Sequence, residues 1–292
     1  MILEYKIINK KYQNIKQILK EEFHISDRLL LKLKNNKKIL KNNENCSIKM
    51  PINLGDTISI DLNYDEDNSN IVPAKIDLDI IYEDEWLLVI NKPAGITVHP
   101  SCNHFETSLS NGVKFYFDSI NLKKKIRIVN RLDKDTSGIV IFAKCEYIQE
   151  ELIKQMKDNI LKKEYLGIVQ GILNSKTGII NAPIARKENS IIERCICENG
   201  DLSVTHYEVL KEFIDYSLVH FILETGRTHQ IRIHTSYIGH PVLGDTLYGN
   251  KSTLINRQAL HSYKIGFIHP ITKEKCVFVS EIPEDMKKLV SR

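Results

Sequence analysis

Between Val129 and Lys144 the sequence reads VNRLDKDTSGIVIFAK, and several residues in it could do chemistry. Asp133, Asp135, Ser137 and Gly138 fall at the first, third, fifth and sixth places of a calcium-binding loop. Such a loop sits between helices and closes with a bidentate Glu at its twelfth place. Here that place holds Lys144 and both flanks are β-branched, so calcium is disfavoured. Two readings remain. A strand, a polar loop and a second strand would set Asp133 at a strand end beside Arg131, whose guanidinium can keep a carboxylate ionised and oriented as a nucleophile or base. Alternatively Asp135, Thr136, Ser137 and Gly138 are ordinary turn formers, and Asp133 merely caps them.

Other candidate ligands are weaker. His229 and His234 are five apart, which on a helix turns them about 140 degrees from each other. They and His240, His261 and His269 are therefore read as solvent, packing or phosphate contacts rather than metal ligands. Cys46, Cys102, Cys145, Cys195, Cys197 and Cys276 are scattered, and the one close pair lacks C-x-x-C spacing, so reduced thiols and no metal are expected. Lys92, between Asn91 and Pro93, reads as a solvated turn lysine in preference to a contact to RNA, and Trp86 as packing in a hairpin at the domain's edge.

The elements that must position these residues are mostly strands. Asp79 to Tyr82 and Trp86 to Ile90 flank a charged turn, and Ile126 to Val129 and Ile139 to Phe142 flank the RLDKDTSG loop. KEYLGIVQG, VTHYEVL and SLVHFILET add three more. Cys145 to Asn159 reads as a helix with Ile148, Leu152 and Met156 on one face, and Thr228 as the N-cap of a helix through Tyr237, with Gly239 and Pro241 beyond. Near the N-terminus, Tyr12 to Lys34 reads as two short helices, the second capped by Ser26, ahead of a strand at Thr57 to Ile60. Strands outnumber helices without regular βαβ alternation, so the class is mixed α+β. Residues 1–64, a polar linker 65–75 and a larger domain 76–292 are the expected divisions.

Composition bounds the function. The 292 residues are 42% hydrophobic and 27% charged, with no run of about 18 apolar residues and no secretory signal, so a soluble cytoplasmic protein is expected. Residues 1–64 hold eleven Lys and one Arg against four Glu and three Asp, an excess of five that exceeds the +4 of the whole chain. A basic N-terminal part permits a nucleic-acid partner; a solvated lysine-rich surface explains the composition as well.

RLDKDTSG resembles the signature of the RluA-type pseudouridine synthases. The resemblance continues in order through YEDEWLLVINKPAGITVHPS, KKEYLGIVQG, THYEVL, LETGRTHQIRIH, GHPVLGDTLYG and ALHSYKIGFIHPIT, covering roughly residues 76–281. It implies a mainly antiparallel sheet with flanking helices, and an isomerase that breaks the N-glycosidic bond of a uridine, rotates the uracil and rejoins it through carbon, with no cofactor or metal. It makes Asp133 the catalytic aspartate, Tyr165 the aromatic residue on the target base, and Arg227 the basic partner of the aspartate. Arg131 would occupy the space left by the flipped nucleotide, and Asn130, Lys163 and His229 complete the substrate-binding set. Many relatives place His where this chain has Asn130, which cannot become cationic.

The N-terminal part resembles the small α-L RNA-binding module, with KNNENCSIKM offering Asn-Asn where that module turns on Asn-Gly. RNA is the implied partner, ribosomal large-subunit RNA first and transfer RNA as the alternative, with a monomer expected. A non-catalytic RNA-binding factor and a metal-dependent nuclease are the competing classes; the first has no need of a buried carboxylate facing RNA, and the second lacks acidic ligands beyond Asp135.

Overall fold

The computed structural model describes residues 1–69, 71–100 and 105–291; Ser101 and Cys102 lie outside the described residues. The N-terminal part comprises β1 (Ile2–Lys6), α1 (Ile15–Glu21), α2 (Asp27–Asn35), β2 (Ile39–Lys41), β3 (Glu44–Asn45) and β4 (Thr57–Asp61). Its four strands form an antiparallel sheet in the order β1-β4-β2-β3. Ser26 caps α2, its side chain accepting from the Leu29 amide at 3.1 Å, as its position predicts. Asn42 and Asn43, between β2 and β3, both adopt positive φ, 51° and 68°. That is the backbone of the tight hairpin turn that Asn-Gly usually supplies, so Asn-Asn fills the same place.

The rest of the chain runs β5 (Asp79–Glu83), β6 (Leu87–Lys92), α3 (Leu109–Ser119), β7 (Arg127–Ile128), β8 (Ser137–Ala143), α4 (Glu146–Lys157), β9 (Lys162–Gln170), β10 (Thr177–Asn181), β11 (Ile184–Arg186), β12 (Arg194–Ile196), β13 (Val204–Glu212), β14 (Tyr216–Leu223), α5 (Gln230–Tyr237), β15 (Leu260–Ile268), β16 (Lys275–Val279) and α6 (Glu284–Val290). Ten of these strands make one sheet, ordered β10-β13-β14-β9-β15-β8-β6-β5, with β16 on β15 and β7 on β8. Among the described strands only the β15–β8 pair is parallel, so the fold is α+β with a mainly antiparallel sheet. β11 and β12 form a separate hairpin. Among the described residues no helix is long and apolar enough to cross a membrane.

Every residue of β8 is buried, which requires cover on both faces. Its alternation feeds two cores. Ile139, Ile141 and Ala143 join Trp86, Leu87 and the helix α4 in a core that also contains Ile18, Leu29 and Leu33 of the N-terminal helices. Val140 and Phe142 join Tyr165, Val113 and Ile231 on the other side. The N-terminal part is thus packed on the sheet face opposite to Tyr165.

Ion pairs reinforce that packing. Arg127 grips Glu66 with both terminal nitrogens at 2.6 and 2.7 Å, and Lys32 of α2 adds a third bond at 2.6 Å. Lys32 and Arg28 also reach Glu146 of α4. Burial would raise the Glu66 carboxyl, but the two cations hold it down to about 2. Glu66 therefore contributes stability that is fully present above its unfolded value near 4.5 and lost as pH falls toward 2. Glu66→Ala, which leaves Arg127 buried without its bidentate partner, is expected to cost about 3 kcal/mol in urea unfolding at pH 7. The same variant should show a shallower loss of stability between pH 4.5 and 2 than the parent.

Candidate active site

β7 and β8 flank the loop that carries Asp133, and Asn130 closes it at the base. The Asn130 amide donates to the Ile139 carbonyl and its oxygen accepts from the Ile141 amide, each at 2.9 Å. Asn130, expected among the substrate-binding residues, lines the cavity over the loop and is buried with both polar ends engaged by β8. Gly138 follows at φ 111°, where a Cβ would collide with the Ser262 backbone of the parallel neighbour β15. The glycine that resembles a calcium-loop residue is thus required by strand packing. Lys144, at the loop's twelfth place, is tied to Glu83 and the Asp84 carbonyl.

Two cations hold the loop from behind. Lys92 is fully buried, not solvated as its turn setting predicts, and donates to the carbonyls of Pro93, Ile96 and Lys134 at 2.8 to 2.9 Å. Burial pulls its pKa down to about 7 against the opposing pull of Asp135 and Asp133. Three carbonyl acceptors match the three N–H bonds of the ammonium form, so it serves as a charged clamp. Arg257 donates to the Asp135 carbonyl at 3.0 Å and forms a two-point pair with Asp285 of α6. Arg257→Met is expected to lower kcat about tenfold, with KM little changed, because it releases the carbonyl two residues from Asp133. Steady-state kinetics with a thermal melt as control would check this.

In front of the loop, Arg232 of α5 joins two carboxylates. Its Nη1 donates to Asp133 at 3.0 Å, while Nε and Nη2 donate to the fully buried Asp245 at 2.6 and 2.8 Å. Burial alone would raise the Asp245 carboxyl, but the guanidinium more than offsets it and holds it below the usual range. Asp245 also accepts from the Leu247 and Tyr248 amides. Arg232 therefore arrives fixed in orientation, with one nitrogen left for Asp133.

This corrects the expected pairing. Arg227 is 43% exposed, donates to the Leu202 carbonyl and lies 3.9 Å from Asp201, and although it lines the same cavity as Asp133 the ion pair with that carboxylate is made by Arg232. The reason is where α5 starts. Its N-cap is His229, in the left-handed region at φ 59°, not Thr228. The Gln230 side chain accepts from the Arg227 amide and the Thr225 hydroxyl, leaving Arg227 in the preceding turn and Arg232 on the buried face. Arg131 is exposed and pairs with no carboxylate among the described residues, so it is not what holds Asp133.

His229 sits beside the pair, its Nε2 3.7 Å from Asp133 and its Nδ1 2.8 Å from the Tyr248 hydroxyl. Burial depresses the imidazole's pKa despite the attraction of Asp133. The other histidines serve packing: His234 binds Thr205 and the Ala182 carbonyl, and His261 binds Ser137 and the Ser280 carbonyl. Among the described residues no group of three or more His, Cys, Asp or Glu side chains is placed to hold a metal.

A cavity of about 420 Å³, within the usual range of ligand sites, opens over the loop and is lined by Asp133, Tyr165, Lys163, Arg131, Arg227 and His229, among others. Tyr165, on β9, is 7% exposed, and burial pushes its phenol up. Lys163, two residues before it, is depressed by burial and by Arg227. The cavity thus combines one ionisable carboxylate, an aromatic side chain and a cationic rim. That arrangement suits a flat neutral ring attached to a polyanion. Arg232, Asp245 and Arg257 carry no individual signal in the sequence, although Arg232 lies within LETGRTHQIRIH and Asp245 within GHPVLGDTLYG.

Residues 86–237 match the family model described as RNA pseudouridylate synthase. The chain is 39% identical over 270 residues to the uncharacterized RNA pseudouridine synthase YjbO of Bacillus subtilis, covering 92% of this chain and 95% of that protein. It is 36% identical over 277 residues to the ribosomal large subunit pseudouridine synthase D of Blochmanniella floridana, covering 88% and 86%. Among solved structures, human RNA pseudouridylate synthase domain containing 1 superposes with a TM-score of 0.60 at 24% identity, over 75% of this chain and 95% of that one, a likeness of fold.

Proposed function

The chain belongs to the RNA pseudouridylate synthase family and is an isomerase acting on RNA, and from that premise we propose that Asp133 is its catalytic carboxylate and large-subunit ribosomal RNA its substrate. The observation that carries the catalytic assignment is the Asp133–Arg232–Asp245 chain, of which Asp133 lines a cavity shared with Tyr165. A carboxylate that adds to the sugar, adds to the base or removes a sugar proton must be held in a fixed direction, and the guanidinium at 3.0 Å aims it. The target uridine must leave its stack to reach Asp133, at a cost of a few kcal/mol. Stacking on Tyr165 offsets part of it, at about 1 to 3 kcal/mol per base.

The RNA assignment rests on the names of relatives such as the Blochmanniella protein. Residues 1–64 act as an RNA-binding module, residues 65–75 as the connection and residues 76–292 as the catalytic domain. Mapping pseudouridine in total RNA by carbodiimide labelling and primer extension tests both parts, using cells with the gene, without it, and with Asp133→Ala. Large-subunit sites absent from the deletion and the variant alike are expected. Sites that persist in the variant would refute Asp133, and lost sites confined to transfer RNA would refute the substrate.

A further inference from the structure

The isomerisation moves a proton as well as a glycosidic bond. Once C5 of the rotated uracil has joined the sugar it still carries its hydrogen, and N1 has none. The C5–H electron pair must become the C5–C6 double bond while the C6–N1 π pair moves onto N1, which takes up a proton. Each path open to Asp133 ends with this step, so a group in the cavity has to carry a proton from carbon to nitrogen.

His229 is placed to do so. Its Nδ1 is held by the Tyr248 hydroxyl at 2.8 Å, and its Nε2 lies 3.7 Å from Oδ1 of Asp133, the oxygen that Arg232 does not use. That separation is too long for a hydrogen bond, and among the described residues Nε2 has no hydrogen-bond partner. It is therefore uncommitted in the lining of the cavity that Asp133 and Tyr165 share. The ring is nevertheless fixed. The Tyr248 hydroxyl accepts from the Arg194 amide at 2.9 Å, the Tyr248 amide donates to Asp245, and the Tyr248 carbonyl accepts from the Ser236 hydroxyl. Asp245 thus orients Arg232 directly and His229 through Tyr248. The backbone adds a second constraint: φ 59° at His229 lies in the left-handed region, uncommon for a residue with a Cβ and a departure of the kind that clusters at active sites.

Resting on the assignment of the chain as an isomerase that uses Asp133, we propose that His229 is the catalytic proton carrier of this last step. Nε2 of the neutral ring takes the C5 proton, the imidazolium so formed faces the Asp133 carboxylate, and it gives a proton back to N1. The histidine ends as it began, and nothing is oxidised or reduced. In this tautomer Nδ1 carries hydrogen and donates to the Tyr248 oxygen, a bond that the imidazolium keeps. Burial, which depresses the imidazole's pKa, favours the neutral form that the step needs. A contact to RNA phosphate would call for the cationic form instead.

The test uses the full chain and total RNA from cells that lack the gene, grown on ordinary or 5-deuterated uracil, because deuterium at C5 reports on this proton alone. His229→Asn and His229→Gly both tolerate positive φ, so the start of α5 should survive in each, and matching thermal midpoints check that. In both, kcat is expected to fall about 10²-fold or more, the range of a positioned acid–base group, with KM for RNA close to the parent. Loss of the carrier makes removal of the C5 proton the slow step, so deuterium should slow the variants and leave the parent rate nearly unchanged. Added imidazole should restore part of the rate to His229→Gly and none to Asp133→Asn. A parental rate in His229→Asn, a reduced rate without an isotope effect, or a raised KM with kcat kept, the signature of a lost binding contact, would each overturn the proposal. So would an His229→Gly protein that imidazole fails to rescue, which decides the matter should His229→Asn fold poorly. A parent that forms no pseudouridine would refute the isomerase assignment itself, whereas an Asp133→Asn protein with parental turnover would refute the part of the carboxylate; an active parent with an unslowed His229→Asn would refute only the part of the histidine.

Discussion

Asp133→Asn is expected to reduce pseudouridine formation by at least roughly four orders of magnitude, in line with loss of a group at the centre of a catalytic unit. The substitution keeps the side-chain volume and can still accept a hydrogen bond from Arg232. It removes the charge and the basicity on which every chemical path open to the carboxylate depends. The fold should barely change, because Arg232 remains fixed by two bonds to Asp245 and the loop remains held by Lys92 and Arg257. RNA affinity should stay the same or tighten, since a negative charge that faces phosphates is gone. Single-turnover rates on total RNA, together with binding titrations, read both effects. A variant that retains a tenth of the parent rate would end the assignment of Asp133. A variant that has lost RNA binding would mean that the carboxylate builds the binding surface rather than the chemistry.

The strand–loop setting of Asp133 and the strand setting of Tyr165 were legible in the sequence because each sits within a short contiguous motif whose backbone pattern is local. The partner of Asp133 was not. Whether Arg227 or Arg232 faces it depends on the residue at which α5 begins, and a good N-cap type at Thr228 lost to a left-handed His229 with Gln230 bonding the turn. Lys92 was misjudged for a similar reason. Its neighbours Asn91 and Pro93 announce a turn, but its burial depends on a carbonyl 42 residues away.

Helix α3 escaped notice because its sequence, LSNGVKFYFDS, carries Asn111 and Gly112 in its first turns. Both have reasons that appear only in three dimensions. Asn111 completes a capping box with Ser108 and donates to the Val72 carbonyl. A Cβ at Gly112 would lie 3.0 Å from the Ile76 side chain. The two-helix N-terminal part and the strands around the motif were readable because their apolar periodicity is strong. The way that part packs on the sheet was not, since it depends on Glu66, a residue inside a polar stretch that reads as a linker.

Replacement of Arg232 should affect stability and rate together, and the two effects can be separated by the choice of substitute. Arg232→Met leaves Asp245 fully buried without its guanidinium. Breaking a buried pair from one side costs about 3 to 5 kcal/mol, so a large fall in the urea midpoint is expected. The acid limb should move as well. In the parent, Arg232 holds the Asp245 carboxyl below its ordinary value near 3.8, so its contribution is intact above that value and disappears only as pH falls below it. In Arg232→Met, burial is opposed only by the Leu247 and Tyr248 amides, so the carboxyl rises relative to the parent and the acid loss begins at higher pH.

Arg232→Lys keeps the charge and should recover much of the stability through one bond to Asp245. A single ammonium on a flexible stem cannot reproduce the fork that binds Asp245 through Nε and Nη2 while offering Nη1 to Asp133. Its kcat is therefore expected to fall about 10²-fold, the effect of a small misplacement at the reacting centre, with KM for RNA close to the parent. A Lys variant with parental kcat would show that charge alone suffices and that the second carboxylate, Asp245, has no part in aiming the first.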